Sequence, residues 1–325
     1  MRILTTSQPN NSGTKEPSSQ TLLYLAGTGH SGSTLVSFVL NTHPDIFSIG
    51  IMSAPTFPRE QPLERRCSCG SRLVDCPFFA QMAARFENQG LPFEPAYWNL
   101  LFGVSDNPIL RRVKAGSLRS NTLEGLRDKL WSIHPVYRRE RDLCERSNRL
   151  FISSALAFSR AKIFFDASKD PIRIRFLKGL AGVKLKVIHL VRDPRGLAYS
   201  RIRDAGMTAW RAADGWVRTN SNVERHLTSM DRRDWIRVRY EDFCARSDET
   251  LRRIGEFLGI GPIPKPSDFR GIDHHIMGNK MRLPENASST IHLDEQWRAH
   301  LSNEDLATIL RRTKSLAESY GYDLS

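Results

Sequence analysis

Apolar positions in this chain fall into short unbroken runs separated by stretches of helical spacing. Leu22 to Ala26 is one run, and Lys162 to Asp166, Lys184 to Val191 and Trp235 to Tyr240 are others. Phe47 to Ile51 is a shorter one. Such runs, a few residues long and closed by Gly, Pro or Asp, predict strands buried on both faces. Leu35, Val36, Phe38, Val39 and Leu40 instead recur with the period of a helix, ended at Asn41-Thr42-His43-Pro44 because proline disfavours helix in the residue before it. Further helices are predicted from Asp170-Pro171 to Leu180, from Thr208 to Met230, from Thr250 to Leu258 with Gly259 as its stop, and over Leu293 to Leu301 and Asn303 to Tyr320. Trp210 and Trp216 on the long helix read as core. Strands alternating with helices imply an α/β fold, a three-layer sandwich with a central parallel sheet flanked by helices.

Two regions depart from that alternation. Residues 1–20 are polar, rich in Ser, Thr, Asn, Gln and Pro, and lack the apolar core of a signal peptide; they read as a disordered tail on a cytoplasmic protein. Between about 52 and 150, Pro55, Pro58, Pro62, Pro92, Pro95 and Pro108 interrupt the pattern, while Phe78 to Phe86, Thr122 to Trp131 and Tyr137 to Ser147 keep helical periodicity. The expectation is one domain over 21–325 carrying a helical, loop-rich insertion. That insertion either shapes a ligand pocket or covers the sheet. No run approaches the length of a membrane span.

The candidate chemistry lies at the ends of two strands. The first is followed by Gly27-Thr28-Gly29-His30-Ser31-Gly32-Ser33-Thr34 and then a helix. Strand, glycine-rich loop and helix form a P-loop NTPase-like cradle for a phosphate: glycines let the backbone wrap the anion, and the first helical N–H groups point at it. Ser31, Ser33 and Thr34 add hydroxyl donors. The lysine of the ATP and GTP version is replaced by Ser33, which weakens a triphosphate and Mg²⁺ reading. The strand ending at Val191 leads into Arg192-Asp193-Pro194-Arg195-Gly196 and on to Ser200. Arg192 offers a bidentate fork to a phosphate, and Ser200, two turns on, a hydroxyl. At neighbouring parallel strand ends both can converge on one ligand.

These residues resemble the motifs of sulfotransferases that use 3′-phosphoadenosine 5′-phosphosulfate (PAPS). Gly29 to Thr34 matches their 5′-phosphosulfate loop, and Arg192 with Ser200 their 3′-phosphate motif. Asp166-Ala167-Ser168-Lys169-Asp170-Pro171 resembles a segment of bacterial members, Arg239-Tyr240-Glu241-Asp242 the one whose tyrosine faces adenine, and Gly278-Asn279-Lys280-Met281-Arg282 the late basic loop over the nucleotide. The likeness spans roughly residues 21–322. It implies PAPS as co-substrate, with Lys169 stabilising the sulfonate, Arg282 and Lys280 joining Arg192 and Ser200 at the 3′-phosphate, and Tyr240 at the base. It implies a carbohydrate or small-metabolite acceptor, sulfonated on a hydroxyl or amine. Relatives often carry Glu, in some the catalytic base, where this chain has Ile51. His30, at a position where many relatives have Arg or Lys, is then the first choice for base and Asp166 the second, although a capping or Arg-paired role is commoner for such an aspartate. Sulfonate transfer needs no metal when fixed cations and backbone amides stabilise the charge.

Charge and cysteines add limits. The net charge is +13, from 48 Lys and Arg against 35 Asp and Glu, which suits a polyanionic partner. The basic residues are scattered and no nucleic-acid-binding signature is present. Five cysteines, an odd number, argue against a disulfide framework. Cys67, Cys69 and Cys76 cluster, yet three cysteines fall short of the usual four zinc ligands, and no metal site is assigned. Rival functions are a P-loop kinase or nucleotide triphosphatase, a non-catalytic nucleotide-binding relative, and a nucleic-acid binder.

Overall fold

The computed structural model describes residues 20–52, 66–93, 100, 108–269, 274–275, 280–283 and 290–324. The tail read over 1–20 lies outside these apart from Gln20, as do Gly278 and Asn279 of the late basic loop and most of the proline-rich part of the insertion.

Five strands, β1 (Gln20–Gly27), β2 (Ile46–Ser48), β3 (Ile163–Lys169), β4 (Val183–Val191) and β5 (Trp235–Arg239), form one sheet in the order β2-β3-β1-β4-β5. Every pairing is parallel. β1 is central because its side chains are apolar on both faces. Leu22, Tyr24 and Ala26 pack on one side with Phe164, Phe78, Phe151 and Val223. Leu23 and Leu25 pack on the other with Phe165, Ile188, Val36, Val39 and Ile254. Alternation at period two sends successive residues to opposite layers, and each fully buried aliphatic or aromatic side chain contributes about 1.5–3 kcal/mol.

The first layer holds α5 (Pro135–Ser159), α6 (Pro171–Lys178) and α8 (Ala209–Leu227), all against β1. The second holds α1 (Ser33–Asn41) and, near it, α9 (Tyr240–Ala245) and α10 (Ser247–Leu258). α7 (Pro194–Ala205) and α12 (Asn303–Ser319) pack on α8, and the short α11 (Trp297–His300) on α7. Caps fix the ends. The Asp170 carboxylate accepts from the Ile172 N–H at 3.0 Å to start α6, and Gly259, at φ 74°, ends α10.

The insertion supplies α2 (Pro77–Asn88), α3 (Pro108–Lys114), α4 (Asn121–Trp131) and most of α5. Apolar packing and buried charge together hold it. Glu124 of α4, fully buried, pairs with Arg225 of α8 at 2.8 Å, and Asp128 pairs with Arg175 of α6 at 2.7 Å. Leu123, Leu126 and Leu130 of α4 form an exposed stripe. Among the described residues no helix is long and apolar enough to cross a membrane.

Several local readings change. Pro108 opens α3, taking the first helical position where its missing N–H costs nothing, and does not interrupt a loop. α5 runs on to Ser159. The helix read over Leu293 to Leu301 shrinks to α11, because 291–295 has no regular secondary structure and its backbone is bonded to Tyr240. Trp216 is fully buried, its indole N–H donating to the Arg192 carbonyl at 2.9 Å, whereas Trp210 is 58% exposed on another face of α8.

Candidate functional site

The C-terminal edge of the sheet opens into a cleft of about 750 Å³, at the switch point where the connection from β1 runs through α1 to β2 on one side and the crossover from β3 carries the chain to β4 on the other. Its floor is the loop between β1 and α1. A Cβ at Gly27 would stand 2.4 Å from the Leu190 carbonyl oxygen, so only glycine lets β1 pair with β4 this far. Gly32 sits at φ 87°, and a Cβ there would meet the Tyr240 ring at 2.3 Å. The loop therefore lies directly on the Tyr240 face. Among the described residues no side chain caps α1 and no acidic residue occupies its first turn, so the positive end of the helix is left for an anion. Gly29, Gly32, Ser33 and Thr34 line the cleft. Ser31 turns inward, fully buried, and its hydroxyl has no partner among the described residues.

β3 brings Lys169 to the opposite wall. The β1–β3 register shifts between Tyr24 and Ala26, so that Tyr24 faces Asp166 but Ala26 faces Lys169. This irregularity, together with a left-handed backbone at Lys169 (φ 72°), turns the lysine into the cleft. Its ammonium contacts the Ala167 carbonyl at 3.3 Å, and burial pulls its pKa down to about 8. Asp166, three residues earlier, is not brought to the cleft. It is fully buried, ion-paired with Arg173 at 2.9 Å, and accepts from the Ser168 N–H at 2.9 Å and the Ser168 hydroxyl. Arg173 is satisfied in turn by the Leu100 carbonyl and the Asn148 side chain.

β4 and α7 deliver Arg192 and Ser200. Arg192 lies against the Tyr240 ring, 4.6 Å from its centroid, and donates to the His30 carbonyl at 2.9 Å and the Ser200 hydroxyl at 3.3 Å. Its other nitrogen donates to the Asp294 carboxylate at 3.0 Å. The Tyr240 hydroxyl donates to the His292 carbonyl at 3.1 Å and accepts from the Asp294 N–H, tying the 290–296 segment across the cleft mouth. Burial raises the Tyr240 pKa, so the phenol stays neutral.

His30 sits at the loop tip with a left-handed backbone (φ 69°), its Nδ1 3.5 Å from Asp204 of α7. Burial first, then the nearby Arg201 charge, lowers its pKa, with Asp204 opposing. The imidazole is thus neutral at neutral pH and free to accept a proton. Ile51 also lines the cleft and cannot.

Gly29, His30, Gly32, Ser33, Thr34, Lys169, Arg192, Ser200 and Tyr240 are brought together. Arg282 turns away, donating to the Arg66 carbonyl at 2.6 Å, and the Lys280 side chain lies outside what the structure describes. Arg203, Asp204, Met281, Thr290, His292, Asp294 and Gln296 line the cleft without having been singled out. Arg203 and Asp204 follow Ser200 by one helical turn, a spacing that places them on its face. The 290–296 residues carry no comparable signal. Two fixed cations, a helix N-terminus, an aromatic face and a neutral imidazole make a site for a polyanion next to a group able to take up a proton.

A family profile described as "Sulfotransferase family" matches residues 127–263. Carbohydrate sulfotransferase 1 of Mus musculus is 29% identical over 174 residues, 44% of this chain and 40% of that protein. Carbohydrate sulfotransferase 2 of Mus musculus is 27% identical over 171 residues, 39% of this chain and 30% of that protein. The alignments thus span less than half the length of these relatives. Among solved structures, the sulfotransferase domain of the Synechococcus PCC 7002 olefin synthase superposes with a TM-score of 0.53 at 20% identity, covering 98% of this chain and 100% of the other. That likeness is one of fold.

Proposed function

We propose, for a chain that belongs to the sulfotransferase family, that it moves a sulfonate group from PAPS to a hydroxyl or amine of a carbohydrate or small-metabolite acceptor. The observation that carries the reading is the convergence of the α1 N-terminus, Lys169, and the Arg192–Ser200 pair on one cleft with Tyr240 as its wall. Ser33 and Thr34, which line the cleft, add hydroxyls where the loop would meet a phosphate.

In this reading the amides of Ser31 to Thr34 hold the 5′-phosphate, Arg192 and Ser200 the 3′-phosphate, and Tyr240 the adenine. The bound donor supplies an activated sulfonate on a phosphate leaving group. Lys169 places a positive charge beside the oxygens that gain negative charge, in a partly dry site where that charge counts for more than in water. His30 takes the acceptor's proton on a ring nitrogen, and Asp204 is close enough to stabilise the imidazolium that results. Arg282 and Lys280 are left without an assigned phosphate contact. Asp166 is left out of the chemistry, since Arg173 engages one of its carboxylate oxygens and Ser168 the other. The names of the relatives favour a carbohydrate acceptor.

A second reading, a nucleotide-binding relative without turnover, rests on Ile51, which lines the cleft where relatives carry a glutamate. Incubating the protein with PAPS and a panel of mono- and oligosaccharides and small hydroxylated metabolites, and reading release of 3′-phosphoadenosine 5′-phosphate (PAP), separates the two. Acceptor-dependent release supports transfer. Tight PAP binding with no release for any acceptor favours the second reading, and Mg²⁺-dependent ATP hydrolysis would overturn both.

A further inference from the structure

Three cysteines and a histidine from distant parts of the chain meet in a cluster outside the cleft. Cys67, Cys69 and Cys76 lie in the turns before α2, and His274 lies beyond α10. Cys69 Sγ is 3.8 Å from Cys76 Sγ, and His274 Nδ1 is 3.3 Å from Cys76 Sγ and 3.9 Å from Cys67 Sγ. All four ligand atoms lie within 4.8 Å of one another. Bond lengths of about 2.3 Å for Zn–S and 2.0–2.1 Å for Zn–N put tetrahedral ligand atoms about 3.8 Å apart for S···S and about 3.5 Å for S···N. The edges from Cys76 to Cys69 and to His274, at 3.8 and 3.3 Å, are near those values, the Cys67–His274 edge is 3.9 Å, and the remaining edges lie within 4.8 Å.

We propose that Cys67, Cys69, Cys76 and His274 bind one zinc ion in a closed structural site. The sequence shows three of the four ligands in a row and hides the fourth some 200 positions away, which is why three cysteines alone appeared to fall short. Three thiolates and an imidazole suit zinc among the common divalent ions, and four protein ligands leave no open position for substrate. A disulfide is the obvious competitor. Sulfurs 3.8 Å apart are not bonded, all five cysteines are free, and a Cys69–Cys76 bridge would explain neither Cys67 nor His274.

The surroundings are built for an ion. Cys67 and Cys76 are fully buried and His274 nearly so. Phe78 stacks on the His274 ring at 5.6 Å and Phe158 meets it edge-on at 5.3 Å, fixing the ring and excluding water. The Cys67 N–H donates to the Ser71 carbonyl and the Gly70 N–H to the Cys67 carbonyl, folding the cysteine turn tightly. His274 holds a left-handed backbone (φ 70°), a conformation the surroundings must impose.

The position gives the ion a task. It fastens the cysteine turn to the 274–275 segment, which two further bonds already align: the Ser68 N–H donates to the His275 carbonyl at 3.1 Å and the His275 N–H to the Ser68 hydroxyl at 2.8 Å. His275 reaches Ser37 of α1 at 2.9 Å, and Arg282 reaches the Arg66 carbonyl. The 280–282 turn, whose Met281 lines the cleft, therefore hangs from the same anchor as the phosphate-loop helix.

The test is metal analysis of untagged protein purified in reductant without chelator. Inductively coupled plasma mass spectrometry should find one zinc per chain, and a mercurial should release it in step with thiol titration. Cobalt substituted into the wild-type protein should give thiolate-to-metal charge-transfer and tetrahedral ligand-field bands, a readout that does not depend on a variant folding. Cys76→Ser and His274→Ala should lose the metal, His274→Cys should retain it, and Cys244→Ser should match wild type. Chelation of the wild-type protein should lower its unfolding midpoint. Metal-free protein that gives no cobalt bands while its thiols are reduced would overturn the proposal, as would a Cys69–Cys76 disulfide found by peptide mapping.

Discussion

The Asp294 carboxylate stands 3.0 Å from the Arg192 guanidinium, on the side of the arginine not engaged by His30 and Ser200. An anionic ligand at Arg192 must share or displace this carboxylate. Asp294→Asn removes the like charge and should tighten PAP binding by about fivefold, the equivalent of a partly exposed pair worth about 1 kcal/mol. Calorimetric titration of both proteins checks it. Weaker binding by the variant would mean that Asp294 orients Arg192 for the ligand and does not compete with it.

Substitution of Arg192 tests the phosphate grip from the other side. Lysine keeps the charge but loses the planar fork that reaches the His30 carbonyl, Ser200 and Asp294 together. Arg192→Lys should weaken PAP binding by about 1.5–3 kcal/mol, the range for a hydrogen bond to a charged group. Adenosine 5′-phosphosulfate, lacking the 3′-phosphate, should be affected far less. Equal losses for both ligands would place Arg192 elsewhere.

The pH dependence of kcat/KM should be bell-shaped. His30 must be neutral to act as base, and burial together with the Arg201 charge lowers its pKa, so activity falls on the acid side only at pH values below 6.5. Lys169 must be charged, and burial brings its pKa to about 8, so activity falls as pH rises through that value. His30→Ala should lower turnover by about 10²–10⁴-fold and flatten the acid limb while leaving PAP binding intact. Lys169→Arg should move the basic limb upward. An unchanged acid limb in His30→Ala would remove the imidazole from the chemistry.

Asp166 and Arg173 form a fully buried pair, and breaking such a pair leaves a bare buried charge. Asp166→Asn should cost about 3–5 kcal/mol in urea unfolding. Turnover of the folded fraction should change much less than the loss of a general base would demand. Collapse of turnover with intact stability would restore Asp166 as a catalytic candidate.

Buried neutral histidines set the acid stability. Burial lowers the pKa of His189 to about 3 and of His226 to about 4. Below pH 6.5 the unfolded chain therefore binds more protons than the folded one, and stability falls as pH drops from 6.5 toward these values. Urea midpoints measured from pH 7 to pH 4 should decline, and His189→Gln should decline less. A flat profile would contradict the burial of these rings.

The sheet and the two strand-end motifs were legible because unbroken apolar runs, glycines and an Asp-Pro start are local signals: the run at Leu22 to Ala26 became β1, and Arg192 and Ser200 met across α7. Features set by tertiary contact were not legible. Asp294 is on the cleft because Tyr240 binds its backbone, which also keeps 291–295 from the helix its sequence would allow. Trp210 and Trp216 look alike in sequence, and only the packing of α8 against α7 and α12 separates them. Asp166 reads as a strand-end acid; Arg173, seven residues on and brought round by α6, turns it into a structural ion pair.

The most direct measurement is calorimetric titration of the protein with PAP, set against ATP and adenosine 5′-phosphosulfate. The expected result is tight binding of PAP that collapses when the 3′-phosphate is missing and is lost in Arg192→Ala. Preference for ATP, or no binding of any of the three, would contradict the sulfonate-donor site.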